Sequence, residues 1–194
     1  APPLQIQEWV DGNTRNLADF RGKVVVLLFL GDVMHFDFEQ IPAENQQWLE
    51  MIKQTIKAFH TKYAEKEVVF LELYPPGTNK EKIRAFHQFR GFETHAAIDQ
   101  SAPTGGVTNF QYHGGILDLS FYLIDSDGRV IFGPRFWDGE LGEMYFQNAA
   151  DKLSISLDSS EELSLEEGAR VSLRIMEYII SEQIDKALAA KNSK

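Results

Sequence analysis

No cysteine occurs among the 194 residues. That removes thiol nucleophiles, disulfides and thiolate metal sites from any account of the chain, since each needs a sulfur that ionises or is oxidised. It carries no information about redox compartment. Basic residues are also scarce: 19 Lys and Arg stand against 29 Asp and Glu, giving a net charge of −10 and a pI near 5.0. Neutralising phosphates takes clustered Lys and Arg, and so does docking on anionic lipid, so neither nucleic acid nor a membrane surface is expected as partner. No apolar run approaches the ~20 residues of a membrane-crossing helix. There is no internal repeat and no low-complexity tract. What remains is 43% hydrophobic and 25% charged, the balance of one globular domain able to bury a core without staples.

Several segments have a clear local signal. Lys23 to Leu30 is a non-alternating apolar run, which predicts a strand covered on both faces. Ile41-Pro42 opens a helix to about Lys66, with Trp48, Met51, Ile52, Ile56, Phe59 and Tyr63 as its apolar stripe. Val68 to Tyr74 reads as a second buried strand, stopped by Pro75-Pro76-Gly77. Asn79 can cap a short helix that ends at Gly91, with Ile83 and Phe86 inward, and Ala96 to Asp99 reads as a short strand. Asp11-Gly12 signals a hairpin after a loosely alternating Leu4 to Trp9. Small and Gly-rich, Ser101 to Gly115 reads as a mobile loop.

Phe121 to Asp125, the turn Ser126-Asp127-Gly128, and Arg129 to Phe132 predict an antiparallel hairpin. An EF-hand is disfavoured at Asp125, because Arg129 stands at a ligand position and no closing Glu follows. Asp138 to Leu157 is ambiguous between elements. Ser164 and Glu167 form a capping box that opens a helix to about Ala190, with Val171, Ile175, Tyr178, Ile179 and Ile184 on one face. Glu161, Glu162, Glu166 and Glu167 read as its solvated start.

The run from Gly22-Lys23 through the strand to Gly31-Asp32-Val33-Met34-His35-Phe36-Asp37 and on to Pro42 resembles the strand–loop–helix core of the redoxin, TlpA-like (AhpC/TSA-type) branch of the thioredoxin superfamily. The Asp11-Gly12 to Gly22-Lys23 stretch and the Phe121 to Phe132 hairpin resemble the same branch, so the likeness covers roughly residues 4–135. It implies a thioredoxin-like α/β fold: a central mixed sheet with helices on both faces, an insertion at about 137–163 and a C-terminal helix at about 164–190. It also implies export, since that branch works mostly outside the cytoplasm. The start at Ala1-Pro2-Pro3, without Met or apolar leader, fits either a removed signal or a cloning boundary.

The family carries its chemistry on a C-x-x-C loop at a helix N-terminus, where amides and dipole hold a thiolate. Met34 and Asp37 stand at the two cysteine positions. A thioether cannot ionise and a carboxylate cannot resolve a mixed disulfide, so thiol–disulfide exchange by this chain is excluded. The family's cis-proline falls by register on Leu119, which removes the substrate-backbone clamp as well.

Three readings of the degenerate loop stay open. In the first, Asp32 or Asp37 steadies a helix start while Met34 and Phe36 fill space; a carboxylate there is worth ~0.3–1 kcal/mol without any catalysis. In the second, Met34 and His35, with the distal His113, ligate copper; lacking thiolate, that is a weak site. In the third, His35 with Asp32 or Asp37 does acid–base work. No catalytic residue and no cofactor is expected. His60 and His87 read as surface or flanking residues, and Phe132, Phe136, Trp137, Tyr145 and Phe146 as core or insertion packing. The expected function is a redox-inactive domain that binds a protein or small molecule, with a metal-dependent or partner-thiol oxidoreductase as the alternative.

Overall fold

A computed structural model of the chain describes residues 1–30, 43–103, 105–112, 119–133, 139–157 and 165–193. Six strands form one mixed sheet in the order β1-β4-β3-β2-β7-β8. At its centre, β2 (Val24–Leu30) lies parallel to β3 (Val68–Tyr74), with Val24 opposite Val68. Both strands are apolar runs without alternation, and both are covered on each face as that pattern requires. The connection between them is α1 (Ala43–Tyr63), whose Phe59 and Tyr63 are buried from the predicted stripe.

From β3 the chain passes through α2 (Lys80–Arg90) to β4 (His95–Asp99), which extends the parallel set. Asn79 caps α2 by accepting the Glu81 amide at 2.8 Å. Gly91 ends it at φ 80°, a left-handed conformation that favours glycine. The closing hairpin pairs β7 (Leu119–Ile124) with β8 (Val130–Phe132) as expected. Asp125 is used up in its turn, accepting the amides of Asp127 and Arg129.

Two sequence expectations fail here. The strand β1 (Ile6–Trp9) forms, but pairs antiparallel with β4 rather than with a neighbour across Asp11-Gly12. The intervening residues instead make a 3-10 turn, Leu17–Phe20, capped by Asn16. An Asp-Gly turn permits a hairpin; the free edge of β4 offered β1 a better partner. The Gly-rich stretch, expected to be a mobile loop over Ser101 to Gly115, carries β5 (Ser101–Ala102), β6 (Gly105–Gly106) and α3 (Val107–Gln111) within its described part, residues 104 and 113–115 lying outside the described residues. Its anchor is the buried Asp99, whose carboxylate accepts the Thr108 amide at 3.0 Å. Thr108 in turn accepts the Gln5 amide at 2.7 Å.

Gly106 lies against Asp99 so closely that an added Cβ would overlap the carboxylate. Gly106→Ala should therefore cost about 1–3 kcal/mol, read as a lowered denaturant midpoint, because the buried acid must move or lose its amide.

Residues 139–157, ambiguous in sequence, hold α4 (Gly139–Lys152), and the last helix is α5 (Leu165–Asn192). Ser164 of the expected capping box lies outside the described residues. Strand alternation assigns the layers. Val25, Leu27, Phe29, Leu71 and Leu73 point to the side covered by Trp9, Phe20 and Tyr112. Val26, Phe70, Phe121 and Phe132 point to the other, beneath Phe59 and Tyr63 of α1, Ala149 and Ala150 of α4, and Ile175 and Ile179 of α5. Ile83 and Phe86 seat α2 on that same side, against Tyr74 and Ile98. The four long helices thus share one face, and short α3 lies on the side of Tyr112.

Candidate functional site

In open α/β sheets, ligands collect beyond the carboxyl ends of the parallel strands, where no side chain of the sheet blocks approach. Here those ends are Leu30, Tyr74 and Asp99. Leu30 faces Leu119, the first residue of β7, across the antiparallel ladder. The chain leaving β2 and the chain entering β7 therefore start side by side at one edge of the molecule. Leu119, the position matching the family's proline, is thus a neighbour of the strand that feeds the degenerate loop. Asp32, Met34, His35, Phe36, Asp37 and His113 lie outside the described residues. Among the described residues no group of three His, Asp or Glu side chains converges as a metal site.

Behind this tip, on the α3 side, three rings pack together. Tyr112 lies 6.0 Å from Phe29 and 5.0 Å from Tyr122, both on central strands. Its hydroxyl donates to the Pro2 carbonyl at 2.8 Å, tying the N-terminal residues to the segment after α3. Burial, then the nearby Tyr122, pushes the Tyr112 hydroxyl above its usual range, so it keeps the proton that it donates to Pro2.

The strongest electrostatic feature was missed in the sequence. Glu72, in the middle of β3, is fully buried on the helix-covered side. Its Oε2 accepts Tyr74 Oη at 2.8 Å, Arg90 Nη2 at 3.0 Å and His87 Nε2 at 3.1 Å. An ionised carboxylate only accepts, so Nε2 carries the proton in that contact. Arg90 Nη1 closes the pair on Oε1. The remaining guanidinium donors reach Thr94 Oγ1 at 2.9 Å and the Phe92 carbonyl at 3.1 Å. Phe86 and Phe92 sandwich the guanidinium at 4.9 and 4.5 Å, and His60 stacks on Phe92 at 4.6 Å.

The expectation that His87 sits on the surface is therefore wrong: it is 6% exposed and faces the carboxylate. His60 is half-buried, flanking the cluster as a lid over Phe92. A recoverable signal existed. A lone acid inside a two-face-buried strand is rarely left unpaired, and His87 and Arg90 follow Ile83 and Phe86 on the inner face of α2.

Burial alone would raise the Glu72 carboxyl; the His87 and Arg90 contacts outweigh it and hold it down at about 2. Tyr74 moves the other way, pushed well up by burial and then by the Glu72 charge. Burial and the Arg90 charge together lower His60. A carboxyl depressed on folding stabilises the native state above its unfolded pKa, ~4.3, and loses that contribution as pH falls towards its folded value. Stability should accordingly hold down to about pH 5 and drop towards pH 2, and Glu72→Gln should flatten that limb in pH-resolved denaturation curves. Arg90 and Glu72 are 1% and 0% exposed, so the cluster clamps α2 to β3 with its charges already paired to each other.

A separate recess of about 570 Å³ lies between α4 and α5, edged by Tyr145, Tyr178, Lys152 and Lys186, and shares no residue with the strand tip.

Parallel β2–α1–β3, an antiparallel β7–β8 hairpin on the other side of β2, and a last helix over the sheet define the thioredoxin-like fold. No protein-family model matches the chain, and no curated protein matches it. Among solved structures, the thioredoxin-like superfamily protein SPOA0173 is similar at 22% identity and a TM-score of 0.51, over 84% of this chain and 98% of that one. A thiol-disulfide isomerase from Corynebacterium glutamicum is similar at 24% identity and a TM-score of 0.49, over 69% of this chain and 85% of that one. At 22% identity the likeness to SPOA0173 speaks for the fold alone. The chain shares it without any cysteine.

Proposed function

We propose that this chain is a redox-inactive thioredoxin-like domain that binds a protein or ligand at the end of its central strands. One observation carries the reading: the frame leading from β2 into the loop is intact while cysteine is absent throughout. A thioether at Met34 cannot supply the thiolate that exchange requires. The pairing of Leu30 with Leu119 supports a surface there, since it sets the end of β2, from which the degenerate loop departs, beside the strand at whose start the family carries its backbone-clamping proline. We treat the segment at 137–163, which contains α4, as an insertion, and the domain as exported, on the family resemblance. No described helix is long and apolar enough to cross a membrane.

Purified protein should neither reduce insulin disulfides nor turn over peroxide in the presence of a thiol reductant. Turnover that depends on this chain would contradict the reading. The double variant Met34→Cys/Asp37→Cys should acquire measurable disulfide reduction over that zero background, with Leu119 limiting its rate. Binding is tested by placing a photo-crosslinking residue at position 36 or 119 and, as a distant control, at exposed Met144. Capture of a partner at 36 and 119 but not at 144 supports the strand-end surface; capture confined to 144 overturns it.

A further inference from the structure

The helix-covered side of the sheet is not filled. A chamber of about 90 Å³ lies between β2, α1 and α5, bounded by Leu28, Phe121, Ile56, Phe59, Leu173 and Ile180. A single water needs ~10–15 Å³ of such space, whereas an apolar cavity of ~150 Å³ stays dry and takes up benzene. This one falls between the two limits and is too large to be a packing defect of one methyl group. Leu28, Ile56, Leu173 and Ile180 are each half-buried, so the chamber reaches solvent between the two helices.

Its lining also contains Thr55, Glu72, Arg90 and Glu177. Glu72 and Arg90 form the end wall, and they face each other: both carboxylate oxygens are held by Arg90, with Tyr74 and His87 on Oε2. That wall has no unanswered charge to offer a ligand. An anion entering would meet Glu177, with Arg90 already committed to Glu72, and a cation would lose its water against aliphatic walls. Only an uncharged molecule gains on entry, by giving up apolar surface to water.

We propose that this chamber is a binding site for a small uncharged apolar molecule, the size of benzene or a short branched hydrocarbon. It is separate from the strand-end surface, and neither reading depends on the other.

The test is a titration of the full chain with benzene, followed by methyl NMR and by thermal unfolding in sealed cells. Saturable shifts should centre on the methyls of Ile56, Leu173 and Ile180, with a matching rise in midpoint. Leu173→Phe, which fills the space, should weaken binding by about tenfold or more. If that variant does not fold, Leu28→Phe fills the chamber from the sheet side and serves instead. Benzoate should leave the same methyls unmoved. Absence of saturable shifts in the wild-type chain overturns the proposal, as do equal shifts in a folded filled variant. Benzoate binding more tightly than benzene overturns the uncharged ligand class.

Discussion

Glu72→Gln should lower stability by about 3–5 kcal/mol, the cost of leaving Arg90 buried beside a neutral amide. For a chain of this size that is a fall of roughly 10 °C in midpoint. The effect follows from the geometry rather than from the strength of the pair. Arg90 is 1% exposed and cannot turn to water, so the loss of its counter-charge is paid in full desolvation. Replacing the whole cluster is a different experiment. Glu72→Leu, Tyr74→Phe, His87→Leu and Arg90→Met together remove the charged and polar side chains of the cluster, and the two outer partners of Arg90, the Phe92 carbonyl and the Thr94 hydroxyl, belong to half-buried residues that water can reach. That quadruple variant should recover most of the loss, since apolar residues of similar volume often match a buried ion pair. Urea or guanidinium unfolding with an unchanged slope is the measurement. A single variant as stable as wild type, with its slope unchanged, would mean that the guanidinium finds another acceptor.

Phe132→Ala is the second large effect, at about 3–5 kcal/mol. Phe132 ends β8 at 1% exposure, stacks on Phe121 at 5.8 Å and meets the edge of Tyr145 of α4 at 5.6 Å. Removing the ring opens a hole beside α4 and takes away the partner of its Tyr145 ring. Hydrogen exchange should therefore rise in α4 before it rises in α2, which packs on a different cluster around Ile83 and Phe86. Equal protection of α4 in the variant would show that α5, not the sheet, holds it.

Much of the scaffold can be read locally. The strands β2 and β3 follow from non-alternating apolar runs, broken in β3 only by Glu72, the ends of α2 from Asn79 and Gly91, and the β7–β8 turn from Ser126-Asp127-Gly128. Each depends on neighbours in the chain, so each survives without knowledge of the fold. The failures share the opposite property. β1 chose the edge of β4, some ninety positions along, over a nearby partner. α4 is ambiguous in sequence, and its Ala149 and Ala150 are buried in the cluster that α1, α5 and the sheet share. Asp99, Thr108 and Gln5 order a Gly-rich stretch whose composition alone suggests mobility.

Composition by itself determined that this chain cannot perform thiol chemistry, since no arrangement in space creates a sulfur nucleophile where none is encoded. Local pattern determined the two central strands, from apolar runs, and the helices α1, α2 and α5, from their apolar stripes and caps, because burial of an apolar face is a local demand. Only the tertiary structure decided that Glu72, His87 and Arg90 meet, and that α1 and α5 stand far enough apart to leave a chamber over β2. Those depend on how helices dock on a sheet, and docking is a property of surfaces brought together from distant parts of the chain.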